Sequence, residues 1–137
     1  MFGRKSNTGD AEWLAGVAFF KDFTSEELAR VAALATEVDA EPGAALTEQG
    51  RMGDVCYVIV EGDAGVYVSG EHVATLHEGS MVGEMALVGH APRNATVIAE
   101  TPMVLAAFDH KAFNTLLDEM PKAKVRVLET LNARLPS

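Results

Sequence analysis

The chain has 137 residues, 48% of them hydrophobic and 23% charged, with a formal net charge of −9. That length fits one domain with a core of useful size, and the apolar content excludes a disordered chain. With 11 Lys and Arg against 20 Asp and Glu, the balance argues against a nucleic-acid interface, which needs clustered cations.

Residues 1–7 carry no apolar segment behind their positive charges, so no secretory leader is read and a cytoplasmic location is expected. Residues 1–9 are expected to be flexible and 10–36 to hold the N-terminal helices. A short helix is expected over 10–18, with Trp13, Leu14 and Val17 on one side, then a connector at 19–23. Thr24-Ser25-Glu26-Glu27 is a capping-box start. Leu28, Val31, Ala32, Ala35 and Val38 follow it at helical spacing.

From 37 to 109 the texture changes. Short β-prone runs alternate with turn residues such as Pro42-Gly43, Gln49-Gly50, Gly53-Asp54, Gly62-Asp63, Gly70-Glu71 and Gly79-Ser80. That spacing predicts a small barrel or jelly roll rather than a parallel sheet with crossover helices. The longest apolar run, 55–60, is too short to span a bilayer. Cys56 lies inside it and reads as a buried thiol with no disulfide partner. Helical spacing returns over 110–137, with Ala112, Phe113, Leu116 and Leu117 on one face. Met120-Pro121 interrupts it, and Val125, Leu128, Leu131 and Leu135 continue it. The densest basic cluster, Lys122, Lys124 and Arg126, reads as a solvated helix face.

One stretch, residues 83–97, places Glu84 and Arg93 nine residues apart among small and apolar neighbours. A planar guanidinium pairs bidentately with two phosphate oxygens, whereas a carboxylate accepts hydrogen bonds from sugar hydroxyls. Gly83 permits close backbone approach, and the segment 84–88 offers the free amides of a first helical turn. These groups describe a pocket for a sugar phosphate or a nucleotide. An ordinary loop ion pair is the competing reading of the same two charges.

Gly83, Glu84, Ala86, Leu87, Pro92, Arg93, Ala95, Thr96 and Val97 resemble the phosphate-binding cassette of the cyclic nucleotide-binding domain family. That family includes kinase regulatory subunits, ion channels and catabolite-activator-type regulators. The resemblance runs from about residue 19 to residue 119 and takes in Pro42-Gly43, Gln49-Gly50, Tyr57-Val58-Ile59, Glu61-Gly62 and His77-Glu78-Gly79. Asn94 departs from it, standing where Ala, Ser or Thr is usual.

The resemblance implies a mainly β domain, an eight-stranded jelly-roll-like barrel at 37–109 with flanking helices. It implies that Arg93 holds the phosphate and Glu84 the ribose 2′-hydroxyl, while the amides of Ala86 and Leu87 complete the cradle. Met85, Leu87 and Val97 supply apolar surface, and Asn94, Ala95 and Thr96 complete the ligand-binding set. The implied ligand is cAMP, with cGMP as the alternative, and the implied moving part is the helix after Pro121. Its base-covering candidates are Leu128, Leu131, Leu135, Arg126 and Arg134, since no aromatic residue follows Phe113.

Catalytic readings find little support. His72, His77, His90 and His110 form no His-x-His pair and sit among turn or loop residues, unlike a metal site with converging ligands. Cys56 has no basic neighbour or helix start to lower its pKa, and the serines lack a nucleophile-elbow motif. The sequence therefore reads as a non-enzyme without cofactor or metal. The expected module is a cytoplasmic cyclic-nucleotide sensor with no output domain of its own. It contacts neither nucleic acid nor membrane, and its last helix is open to a protein partner or a second copy. Two alternatives stay open: a ligand-free interaction module on the same fold, and the sensor portion of a longer transcription regulator.

Overall fold

The computed structural model describes residues 2–4, 11–51, 55–83 and 95–134, with side chains over 11–51, 55–83 and 95–129. Among these residues nine strands form two antiparallel sheets. The five-stranded sheet has the order β1 (Phe2–Arg4), β2 (Thr36–Ala40), β9 (Met103–Asp109), β4 (Val55–Glu61), β7 (Met81–Val82). The four-stranded sheet has the order β3 (Ala45–Thr47), β8 (Thr96–Ala99), β5 (Ala64–Val68), β6 (Glu71–Leu76). The expectation of a mainly β, jelly-roll-like domain with flanking helices holds and its eight strands are close to the nine found, but among the described residues the strands form two sheets and not a closed barrel. Phe2–Arg4, inside the stretch read as flexible, pairs with β2 at Val38, Asp39 and Ala40.

The alternation of side chains along each strand divides the interior into two cores. On β4, Ile59 and Tyr57 face between the sheets, while Cys56, Val58 and Val60 face the helices. On β9, Met103 and Leu105 face inward and Ala106 and Phe108 outward. Val97, Ala99, Leu46 and Ala64 close the inter-sheet core from the second sheet. Leu14, Phe19, Phe20, Val31, Phe113, Leu116 and Val127 cover the other face of the first. Cys56 is fully buried, as expected of a core thiol.

Helix α1 (Ser25–Leu34) starts at the expected capping box. The Thr24 hydroxyl accepts from the Glu27 N–H at 3.1 Å, and a Glu27 carboxylate oxygen accepts from the Thr24 N–H at 2.8 Å. Two sequence expectations fail here. The helix ends at Leu34, because from Thr36 onward alternate residues serve the sheet, and Val38 pairs with Leu105 instead of extending the helical stripe. The helix expected over 10–18 is two 3-10 turns, Glu12–Leu14 and Ala18–Phe20. Gly16 between them has φ +84, which breaks a right-handed run; Leu14 and Val17 are buried nonetheless.

After β9, Asp109 caps α2 (His110–Glu119) by accepting from the Ala112 N–H at 2.8 Å. Met120 is extended, and Pro121 opens α3 (Pro121–Arg134), where its missing N–H costs nothing. Helix α3 packs through Ala123 and Val127, with Val125 and Leu128 about half exposed. The packed face is therefore not the 125/128 face that the sequence periodicity suggests. No helix among the described residues is long and apolar enough to cross a membrane.

Candidate functional site

Short links gather at one end of the sandwich, where β2 turns into β3, β4 into β5, β6 into β7 and β8 into β9. That end is knitted by Gly43 N–H to Ala99 O at 2.8 Å and Glu100 N–H to Asp63 O at 2.9 Å. The opposite end holds the Thr36 start of β2, the Asp109 end of β9 and the Val55 start of β4. It also holds the point where β7 stops, since Val82 pairs with Tyr57, and the point where β8 begins, since Thr96 pairs with Tyr67. The stretch 83–97 therefore leaves one sheet and enters the other at this open end.

Of the residues singled out in that stretch, the structure describes Gly83, Ala95, Thr96 and Val97, the last of them 4% exposed in the inter-sheet core. Glu84, Met85, Ala86, Leu87, Arg93 and Asn94 lie outside the described residues. Gly83 has φ +89, a left-handed conformation that favours glycine over any side chain. At the far end, the Thr47 hydroxyl donates to the Ala95 carbonyl at 3.0 Å, and the Gln49 N–H donates to the Thr96 hydroxyl at 2.9 Å. The Gln49 side-chain oxygen in turn accepts from the Ser69 N–H at 2.7 Å, joining the β5–β6 turn to the same corner.

A cleft of about 270 Å³ opens at this end, lined by Leu34, Thr36, Val38, Val55, Tyr57, Ala107 and Asp109. Its lining among the described residues is mostly apolar, with Thr36, Tyr57 and Asp109 as the polar members. Among the described residues no group of three His, Cys, Asp or Glu is placed to hold a metal ion. His77 Nδ1 lies 2.7 Å from an Asp63 carboxylate oxygen, and His72 Nε2 lies 3.2 Å from the Thr75 hydroxyl.

The C-terminal helices are tied to the N-terminal segment by charge. Arg30 on α1 grips Glu119 through two parallel bonds of 2.7 and 2.8 Å, which raises the guanidinium pKa and lowers that of the carboxylate. Lys122 donates to the Asp22 carbonyl at 2.7 Å and to Glu27 at 2.9 Å. Arg126 donates to the Lys21 carbonyl at 3.2 Å. Lys122 and Arg126 are thus not the purely solvated face read from sequence, and Arg126 is directed at the 21–22 turn.

The model of the cyclic nucleotide-binding domain matches residues 37–120, more than half of the chain. The chain belongs to the cyclic nucleotide-binding domain family. It is 33% identical over 125 residues to a cAMP-dependent protein kinase type II regulatory subunit of Drosophila melanogaster, covering 91% of this chain and 33% of that one. It is 36% identical over 90 residues to a cGMP-dependent protein kinase of Plasmodium berghei, covering 66% of this chain and 10% of the relative. A crystal structure of a cyclic nucleotide-binding domain from Methylobacillus flagellatus superposes with a TM-score of 0.80 at 25% identity, covering 97% of this chain and 83% of that one. The chain spans a third or less of the length of these two curated relatives.

Within this cyclic nucleotide-binding domain, reading the sequence missed Thr47 altogether, took Ser69 as a turn residue, and took Gln49 as a turn residue within the family resemblance, without their hydrogen bonds. A hydroxyl closing the otherwise apolar run Ala44-Ala45-Leu46 was the one available signal for Thr47.

Proposed function

We propose that this domain binds a cyclic nucleotide, cAMP in preference to cGMP, as a regulatory sensor that performs no chemistry of its own. Arg93 holds the phosphate through its two-pronged guanidinium, and Glu84 accepts the ribose 2′-hydroxyl. The amides of Ala86 and Leu87 cradle the phosphate, Gly83 admits the approach, and Met85 and Leu87 lie against the sugar and base. Asn94, Ala95 and Thr96 form the far wall. The observation that carries this reading is the corner where Thr47 holds Ala95, which fixes the chain two residues after Arg93 at the open end of the sandwich.

On a chain of net charge −9, long-range electrostatics oppose an anionic ligand, so affinity comes from these short-range contacts. The same acidity disfavours nucleic acid as a partner. The module works in the cytoplasm without a metal or resident cofactor, and reports through α3 to a protein partner or a second copy of itself.

Competition between cAMP and cGMP, followed by calorimetry, tests the ligand. We expect cAMP to bind more tightly. A preference for cGMP of about tenfold that disappears in Asn94→Ala would reverse the assignment, because the Asn94 amide has both a donor and an acceptor for a guanine edge.

A further inference from the structure

Thr47 stands out for where its hydroxyl is. Among the described residues it is the single buried polar side chain, 7% exposed, at the end of β3. A valine has the same branched shape, favours strands equally and carries no polar atom to desolvate. Packing therefore does not account for the hydroxyl. Its partner is the Ala95 carbonyl, 48 residues away in sequence.

The local backbone shows why a side chain is used. The β3–β8 pairing slips between Ala45↔Ile98 and Thr47↔Val97, so two residues on β3 oppose one on β8. A bulge of this kind bends the strand and interrupts the ladder. The Thr47 hydroxyl supplies a donor to Ala95 at the point where the regular ladder ends. The Gln49 N–H bonded to Thr96 adds a second contact one residue further on. The Ser69-Gly70 turn, with both φ values positive, holds Gln49 from the other side.

From this geometry we infer that Thr47 is a positioning residue for the nucleotide, acting through the Ala95 carbonyl on the backbone that carries Arg93. The inference rests on the binding function proposed above. Arg93 precedes Ala95 by two residues, a reach of about 7 Å of extended chain. A two-pronged contact tolerates displacements of only about 0.5 Å. Freeing Ala95 from Thr47 loosens the chain two residues after Arg93 and removes a part-buried hydrogen bond.

The test compares the unaltered chain with Thr47→Val and Thr47→Ser. Affinity for cAMP is read by calorimetry, and amide hydrogen exchange is read on the ligand-free proteins. Thr47→Val is expected to bind cAMP about tenfold more weakly. It is also expected to exchange faster at Gln49 and residues 95–97, with Thr47→Ser restoring both. Should Thr47→Val fail to fold, Thr47→Cys takes its place, keeping the volume with a poor donor, and must show the same loss. Undiminished binding in Thr47→Val, or in Thr47→Cys where that replaces it, overturns the proposal. So does a serine variant as weak as the valine one, since that would make packing the cause. If the unaltered chain binds no cyclic nucleotide, the binding function itself falls and the exchange measurement alone decides. Faster exchange in the valine variant, reversed by serine, upholds Thr47 as the tether, and unchanged exchange refutes it.

Discussion

Lys122 and Glu27 meet at 2.9 Å through the same carboxylate oxygen that accepts the N–H of Thr24 at 2.8 Å. One side chain therefore closes the capping box of α1 and holds the first turn of α3. With Lys122 also on the Asp22 carbonyl, the starts of the two helices behave as one unit, and neither shifts without disturbing the other.

That coupling has a pH signature. Glu27 is held below the usual carboxylate range, first by the Thr24 N–H and then by Lys122, and Glu119 is held down by its bonds to Arg30. A carboxylate lowered in the folded state contributes stability above its unfolded value, and that stability is lost as pH falls through the folded value. The window opens near 4.5, the unperturbed value, and extends downward. We expect the melting temperature to fall with acidification across that window, and less steeply in Lys122→Met and Arg30→Gln. Acid sensitivity identical to that of the unaltered chain would show that neither tie contributes.

Helix packing gives a stability contrast. Leu116 is 1% exposed in the helix-side core, whereas Leu128 is 53% exposed on α3. Leu116→Ala should cost about 2–5 kcal/mol by cavity formation, and Leu128→Ala should stay within about 0.5 kcal/mol. Urea unfolding reads both. Comparable losses would mean that α3 packs through Val125 and Leu128 after all.

The same helix is the expected moving part of the switch. Movement of α3 on ligand binding must break the Lys122 bonds to Asp22 and Glu27. Amide hydrogen exchange across residues 122–134 should therefore change when cAMP saturates the protein. Identical protection in both states would make α3 a fixed element.

Glu84 offers a finer test of the sugar contact. Glu84→Gln should weaken binding less than loss of Arg93, because an amide oxygen still accepts one bond. Replacing cAMP by its 2′-deoxy form should then cost less in Glu84→Gln than in the unaltered chain. Strictly additive losses would separate Glu84 from that hydroxyl.

Local signals in the sequence were legible where one physical rule decides the outcome. The capping box at Thr24 and Glu27, the break at Met120-Pro121 and the turn-punctuated β region all stand in the structure. The misreadings came where two rules competed. Val38 satisfied helical spacing but was claimed by β2, and Gly16 broke a helix that its apolar neighbours favoured. Val125 and Leu128 matched a helical stripe, yet Ala123 and Val127 fill the tighter space beneath α3. At the site, the Glu84 and Arg93 spacing is visible in one short motif. Thr47, Gln49 and Ser69 act across 20 to 48 residues, and a pairing of that range leaves no local pattern to read.

The most direct test of cyclic-nucleotide binding is calorimetric titration of cAMP into the unaltered chain and into Arg93→Ala. Each charge-assisted hydrogen bond contributes about 1.5–3 kcal/mol, so losing both prongs should weaken binding on the order of a hundredfold or more. Saturable one-site binding that becomes undetectable in a folded Arg93→Ala is the expected result. Equal affinity in the two proteins, or no binding by the unaltered chain, would contradict it.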